Sequence, residues 1–398
     1  MLDIWPEKLP VCINGFGHRL REAIDNVVAA LKLNHRVSVI CLQNTSTPAW
    51  EIFAPLMEHP FPELTHFSIE LFPPIQNVIP RSFLGGSAPC LQDLSLIGML
   101  FPALPELLLS ATDLVRLRYD DVPCSGYISP QAMVTSLSLL TRLESLSLTF
   151  QLPRDLPDTA IRIPPPHTRT LLPALTYLCL RGVHGHVEDL VSQIDAPLLK
   201  GVEITLFHQE VLEVSQLAKF VRRVDSLSLI DRAEVTFYDD SISVKLSQEL
   251  LEIDPKTLKI KLDCYESDLR LSHLVQFCAS CLPTLSPFEC LHILVQLYST
   301  EYTWRFVVDN PAPQWLELLL LFNTVKDLRL DEIVAPHVAP VLGRLPAEQV
   351  SEVLPVLEIV FILDLEAFGP VREAISEFAD ARQLSGRPVS IYKWEQTM

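Results

Sequence analysis

The residues of this 398-residue chain that look most like a chemical site are Cys278-Ala279-Ser280-Cys281, with Cys290 and His292 following. Two cysteines three apart and a later Cys and His form a donor set of the kind that holds zinc tetrahedrally. Yet Cys278 and Cys281 fall on an apolar helical pattern with Leu274 and Phe277, where thiols serve as buried packing groups. The same placement argues against a redox pair, because a working Cys-x-x-Cys sits where a strand meets a helix. His184-Gly185-His186 offers two imidazoles without a third donor, so it reads as a loop. Asp120-Asp121 and Asp239-Asp240 read as turn carboxylates, with nothing to separate either pair into an acid and a base. Gly85-Gly86 stands alone in a loop, and no Gly-x-Ser-x-Gly elbow, phosphate-binding loop or dinucleotide fingerprint occurs. No metal, cofactor or catalytic set is assigned, and the chain reads as a non-enzyme.

Composition narrows the partners. Apolar residues make up 48% of the chain and charged residues 20%, enough for a large core and incompatible with global disorder. Lys plus Arg number 31 against 49 Asp plus Glu, a formal charge of −18. That balance excludes nucleic acid or an anionic membrane as the main partner, since Arg222-Arg223 and Arg116/Arg118 are too sparse to grip phosphates. Nine cysteines at irregular spacing predict buried thiols in a reducing compartment. The first residues lack a basic segment followed by an apolar one, and no apolar run is long enough to span a bilayer. An intracellular protein of the cytoplasm or nucleus is expected.

The elements that would position any site emerge from a repeat. An apolar residue followed by apolar residues at +3 and +5 recurs at Val37-Ile40-Leu42, Leu64-Phe67-Ile69, Leu91-Leu94-Leu96, Leu114-Leu117-Tyr119, Leu143-Leu146-Leu148 and Leu175-Leu178-Leu180. It continues at Leu199-Val202-Ile204, Val224-Leu227-Leu229, Phe288-Leu291-Ile293, Val325-Leu328-Leu330 and Leu357-Val360-Ile362, with a weaker copy at Thr257-Ile260-Leu262. From Val37 to Leu357, eleven steps cover 320 residues, a mean of 29. Degenerate copies at Val11-Ile13 and Val389-Ile391 lie one step outside each end. Residues two apart point to one side of a strand, and the first apolar residue plugs the same core from the preceding turn. Stacked units of this kind predict an α/β fold: an irregular leucine-rich-repeat solenoid, or horseshoe, with a parallel sheet on the concave face and helices on the convex face.

Helical patterns fill the returns at Leu20–Leu33, Pro48–Glu58, Pro130–Leu140, His186–Ile194, Ser215–Val224, Leu269–Cys281, Pro313–Phe322 and Gly369–Gln383. The expected organisation is an N-terminal cap over 1–36, about twelve repeats over 37–369, and a C-terminal cap of helix plus strand over 370–398. None of the +8 positions carries the asparagine that ties regular repeats of this kind, and most are apolar. Breaks in the strand ladder are therefore expected, above all around 231–290, where Ala233–Leu246 alternates across Asp239-Asp240 as an inserted hairpin.

Without chemistry, a surface remains. Residues at +1, +2 and +4 would face the concave side, and Asp120 and Asp331 (+6) are placed there too. The candidates for protein binding are Arg116, Arg118, Tyr177, Arg181, Glu203 and Arg329. Tyr177 beside Arg116 and Arg181 looks like an interface anchor, since aromatic and arginine side chains dominate binding hot spots.

Several blocks carry a family resemblance. They are Gly126-Tyr127-Ile128-Ser129-Pro130 running into Leu143–Leu148, Leu172–Leu178, and Gln193–Leu199 with Phe207-His208-Gln209. Further along come Gln314–Leu318 with Val325–Leu330, and Val353–Leu357 through Gly369-Pro370-Val371 to Ala381–Gly386. Together they span nearly the whole chain, and the sequence resembles basidiomycete, mushroom-type F-box proteins with irregular leucine-rich repeats. That resemblance implies the substrate-recognition region of a receptor for a cullin–RING ubiquitin ligase, holding an unknown protein target on its repeats. A Skp-type adaptor and a cullin are implied as partners if an F-box lies upstream. The F-box itself is not read in 1–35, where Leu20–Leu33 supplies one helix, so no adaptor-contact residue is assigned. The alternative is a free-standing leucine-rich-repeat scaffold with no ubiquitin role.

Overall fold

The computed structural model describes residues 9–17, 23–72, 77–152, 169–207, 214–224, 227, 230–248, 256–263, 267–281, 287–296, 312–363 and 369–394. It is an α/β protein that divides into two compact units, residues 1–199 and 200–398. The division falls inside the stretch 37–369 that the repeat spacing predicts as one domain.

In the first unit, strands β1 (Val11–Phe16), β2 (Val37–Thr45), β3 (His66–Leu71), β4 (Asp93–Ile97), β5 (Arg116–Val122) and β6 (Ser145–Phe150) pair in parallel and in chain order. The two-residue β7 (Thr170–Leu171) steps aside to pair with β9 (Ile194–Asp195), and β8 (Tyr177–Val183) joins β6. The register lines up the +3 residues Ile40, Phe67, Leu94, Leu117, Leu146 and Leu178 in one row. The +5 residues Leu42, Ile69, Leu96, Tyr119, Leu148 and Leu180 form a second row, and no member of either row is more than 2% exposed. Each such side chain contributes about 1.5–3 kcal/mol by leaving water, so the rows fix the register against any one-residue slip.

The returns of the first unit carry α1 (Ile24–Leu31), α2 (Thr47–Phe53), α3 (Leu104–Leu108), α4 (Pro130–Leu137) and α5 (His184–Gln193). Between β3 and β4 a tight turn with Phe83 and Leu84 buried replaces the helix. There Gly85 has φ +70° and a Cβ on it would sit 3.0 Å from Pro60, so the Gly85-Gly86 pair serves a turn.

In the second unit the strands are β10 (Gly201–Phe207), β11 (Arg232–Phe237), β12 (Ser241–Ser247), β13 (Thr257–Asp263), β14 (Cys290–Val295), β15 (Asp327–Leu330), β16 (Ile359–Leu363) and β17 (Ser390–Trp394). Their order is β10-β13-β12-β11-β14-β15-β16-β17. The expected hairpin is present: β11 and β12 pair antiparallel with Ala233 opposite Leu246, Val235 opposite Val244 and Phe237 opposite Ile242. It extends into a three-stranded meander, because β12 also pairs antiparallel with β13. A meander of three strands points the same way on both outer edges, so β13 joins β10 in parallel and β11 joins β14 in parallel. The place beside β10 therefore goes to the weakest copy, Thr257-Ile260-Leu262. The copy headed by Val224 corrects the repeat reading: Val224 and Leu227 are buried, yet neither lies in a strand.

The helices of this unit are α6 (Ser215–Arg222), α7 (Ser267–Cys281), α8 (Ala312–Leu321), α9 (Ala335–Gly343) and α10 (Pro370–Leu384). Helix α10 closes on α9 at Gly343, where a Cβ would sit 2.7 Å from the Ala374 carbonyl oxygen. Arg382 of α10 is wholly buried and donates to the carbonyls of Val350, Leu354, Pro355 and Leu357 at 3.1–3.3 Å. It thereby holds the turn leading into β16, in which Leu354 has φ +48°. Among the described residues no helix is long and apolar enough to cross a membrane.

Candidate functional site

One side of the first sheet is covered by its apolar rows, and alternation sends the intervening residues to the other side. The +2 residues Val39, His66, Asp93, Arg116, Ser145 and Tyr177 stand in register across β2–β6 and β8. The +4 residues Cys41, Ser68, Ser95, Arg118, Ser147 and Cys179 form the next row. Every member of that second row except Arg118 is small. These two rows line a hollow of about 660 Å³.

Two ion pairs organise it. Arg116 Nε donates to Asp93 Oδ2 at 2.7 Å, across neighbouring strands. Arg118 Nε donates to Asp120 Oδ2 at 2.5 Å, two residues along its own strand. The second oxygen of Asp120 accepts from Ser147 Oγ at 2.7 Å, and the residue is only 8% exposed. Both carboxylates thus orient guanidinium groups through Nε. The arginine side chains remain 57% and 56% exposed, and among the described residues their terminal nitrogens carry no hydrogen bond.

The sequence candidates fall into two sets. Arg116, Arg118 and Tyr177 line the hollow, and Arg181 lies four residues beyond Tyr177 on β8, opposite Thr149 of β6. Tyr177 and Arg116 share a row, with Ser145 between them, so the expected anchor is a row rather than a contact. Glu203 and Arg329 belong to the second unit. There the row Glu203, Lys259, Lys245, Glu234, His292, Arg329, Phe361 and Tyr392 runs across the sheet. The Arg329 guanidinium sits 5.2 Å over the Phe361 ring, and Phe361 stacks on Tyr392 at 5.8 Å. Burial first, and then the Arg329 charge, pulls His292 down to about 4. Its 3.8 Å approach to Glu234 is therefore a contact of a neutral imidazole at neutral pH, not an ion pair.

Two carboxylates expected on the surface are nearly buried and engaged instead, Asp331 as a turn clamp and Asp120 within β5. Asp331 is 7% exposed and accepts from the backbone N–H groups of Val295, Ile333 and Val334 at 2.5, 3.0 and 2.7 Å. Asp120 fixes Arg118 and Ser147. Elsewhere, turn N–H groups find other acceptors: Phe101 donates to Tyr119 Oη at 2.9 Å and Val183 to Tyr127 Oη at 3.2 Å. Diverse side chains so do the work that a uniform asparagine ladder would do. Sequence reading missed the row of small residues, although the +4 positions, read as a column, contained it.

The chemical motifs have structural explanations. Cys278 and Cys281 are fully buried on α7, and burial pushes the Cys278 thiol up, away from the reactive thiolate. His184 and His186 open α5 rather than sit in a loop, and His186 Nε2 donates to the Ile128 carbonyl at 2.8 Å. His186 also packs edge-on against Tyr127 and Phe150, and burial lowers its pKa. Among the described residues no group of three His, Cys, Asp or Glu side chains is arranged to hold a metal.

No family model matches the chain, and no curated protein matches it.

Proposed function

We propose that this chain is a protein-interaction scaffold built as an irregular leucine-rich-repeat array, the recognition region of an F-box-type receptor for a cullin–RING ubiquitin ligase. The observation that carries the recognition half is the hollow on the first unit's sheet. There, Arg116 and Arg118 are oriented by internal carboxylates, while more than half of each side chain stays exposed beside a floor of small side chains. Groups held in place before a partner arrives lose little freedom on binding, which favours affinity. A surface of aromatic and arginine side chains over buried rows suits a protein target better than a small metabolite. The ligase half rests on the sequence resemblance alone, and the adaptor contact is assigned to no residue.

The test is immunoprecipitation of the tagged full chain from a mushroom-type fungus, with quantitative mass spectrometry. A Skp-type adaptor and a cullin should co-purify in stoichiometric amounts. Recovery of other proteins without them would leave a free-standing scaffold with no ubiquitin role. Recovery of nothing above background would defeat both readings.

A further inference from the structure

The chemistry around Arg116 and Arg118 narrows what the hollow would take. We propose that it binds an extended protein segment through an Asp or Glu side chain of that segment, seated on the terminal forks of these two arginines. The proposal rests on the recognition reading above and adds the chemical class of the ligand.

The geometry carries it in three steps. A guanidinium group presents five N–H donors in a plane, and a carboxylate matches any two parallel ones. In both arginines the Nε side is already engaged, by Asp93 and by Asp120. What remains is the terminal edge, a two-donor fork on each of two residues that line the hollow. The forks are also pre-set, since Asp120 is itself pinned by Ser147 and nearly buried. Asp120 and Asp93 are positioning residues here, acting through the arginines.

The surroundings leave room for a chain. Arg118 is flanked along its row by Ser95 and Ser147, and beyond them by Ser68, Cys41 and Cys179, all of which keep the floor low. The six strands from β2 to β8 span about 24 Å at about 4.8 Å per step, so an extended segment of about seven residues would cross them. Tyr177 adds an amphipathic ring to the lining on β8.

Charge selects within anions. Arg116 and Arg118 are balanced by Asp93 and Asp120, so the hollow has no excess of cations to neutralise a dianion. A single carboxylate needs only the two free donors of one fork. Elsewhere the chain carries a formal charge of −18, so non-specific attraction of acidic peptides is not expected. Acidic selectivity would have to come from these forks.

The experiment pans random dodecapeptides, displayed on phage, against the full chain and three variants. Arg116→Gln with Arg118→Gln removes both forks, Arg118→Lys keeps a charge but loses one fork, and Arg142→Gln removes a cation paired with Asp113 outside the hollow. The replaced side chains are more than half exposed, and a thermal melt confirms that each variant is folded. Peptides recovered by the parent chain should be enriched in Asp and Glu over the input library. The enrichment should persist with Arg142→Gln and vanish with the double variant, and synthetic hits should bind Arg118→Lys about tenfold more weakly. Recovered peptides without acidic enrichment, or enrichment that survives in the double variant, would overturn the proposal while leaving protein recognition intact. Recovery of no peptide by any variant would overturn both.

Discussion

At the scale of single residues, stability is concentrated where one side chain satisfies several backbone groups. Arg382 is the extreme case: a buried cation whose terminal nitrogens serve four carbonyls of one turn, with burial lowering its pKa. Arg382→Ala should destabilise the protein by about 3 kcal/mol, because it opens a cavity and strands those carbonyls. Arg382→Lys should recover less than half of that, since one ammonium cannot reach all four; urea unfolding followed by circular dichroism reads both. Asp331→Ala should cost about 2 kcal/mol by leaving three backbone N–H groups unpaired, while Asp331→Asn keeps an acceptor and loses less. An Asp331→Ala variant as stable as the parent chain would mean that the clamp contributes nothing.

Two half-buried histidines set a pH dependence. His186 and His292 both have pKa values below the ordinary value of 6.5, His292 at about 4. Well above pH 6.5 neither state binds a proton, so these groups contribute no slope. Below it the unfolded chain takes up protons that the folded chain refuses, and stability falls as pH falls toward about 4. His292→Gln should flatten the drop between these values in a pH series of melting temperatures. An unchanged slope would place the acid sensitivity elsewhere.

At the scale of elements, close approach and pairing decide what is rigid. Helix α9 meets α10 at Gly343 with no room for a methyl group against the Ala374 carbonyl. Gly343→Ala should therefore lower stability by about 1–3 kcal/mol even though alanine favours helices. Strand β12 is paired on both sides, whereas among the described residues β1 pairs only with β2 and β17 only with β16. Native-state hydrogen exchange should find β12 amides slower than those of β1 and β17 by at least about tenfold. Equal rates would mean that the meander opens as readily as the edges.

The elements also show what a sequence can and cannot disclose. Rows of +3 and +5 residues were legible because burial on one face of a strand leaves a period of two, and the hairpin at 233–246 was legible for the same reason. Helix α9 was not, since Pro340 lies in its interior and the tertiary fit against α10 overrides its poor propensity, while Pro336 suits the first turn. The copy at Val224 misled because periodicity reports burial, and a buried residue outside a strand reads like one inside it. Its place by β10 went to the copy headed by Thr257, whose weaker pattern concealed a full seven-residue pairing. Asp120 and Asp331 were read as surface because each holds a partner on a neighbouring strand, the Ser147 hydroxyl for Asp120 and the Val295 N–H for Asp331, which no local pattern encodes.

At the scale of the whole molecule, each unit is built by adding strands to a sheet, so the last element covers an otherwise bare row. Removing residues 370–398 would strip α10 and β17 and with them Arg382, Ile375 and Phe378, which are buried. The truncated chain should aggregate rather than melt cooperatively, as light scattering during a thermal ramp would reveal. A soluble, cooperative truncation would mean that this end is an appendage. Of the site, the arginines and Tyr177 were legible as exposed residues of recognisable type. The hollow was not, because it arises from what is missing, a run of small side chains brought side by side only when the strands align.

The most direct test of the recognition surface fills that hollow. Ser68→Trp would place an indole on the floor of the first unit's sheet without touching either apolar row. Proteins captured from cell extract by the parent chain and by Ser68→Trp should be compared quantitatively, with equal melting temperatures as the control. The partners held by the parent chain should fall by about tenfold or more with the tryptophan in place. An unchanged set of partners would contradict the assignment of this face as the binding surface.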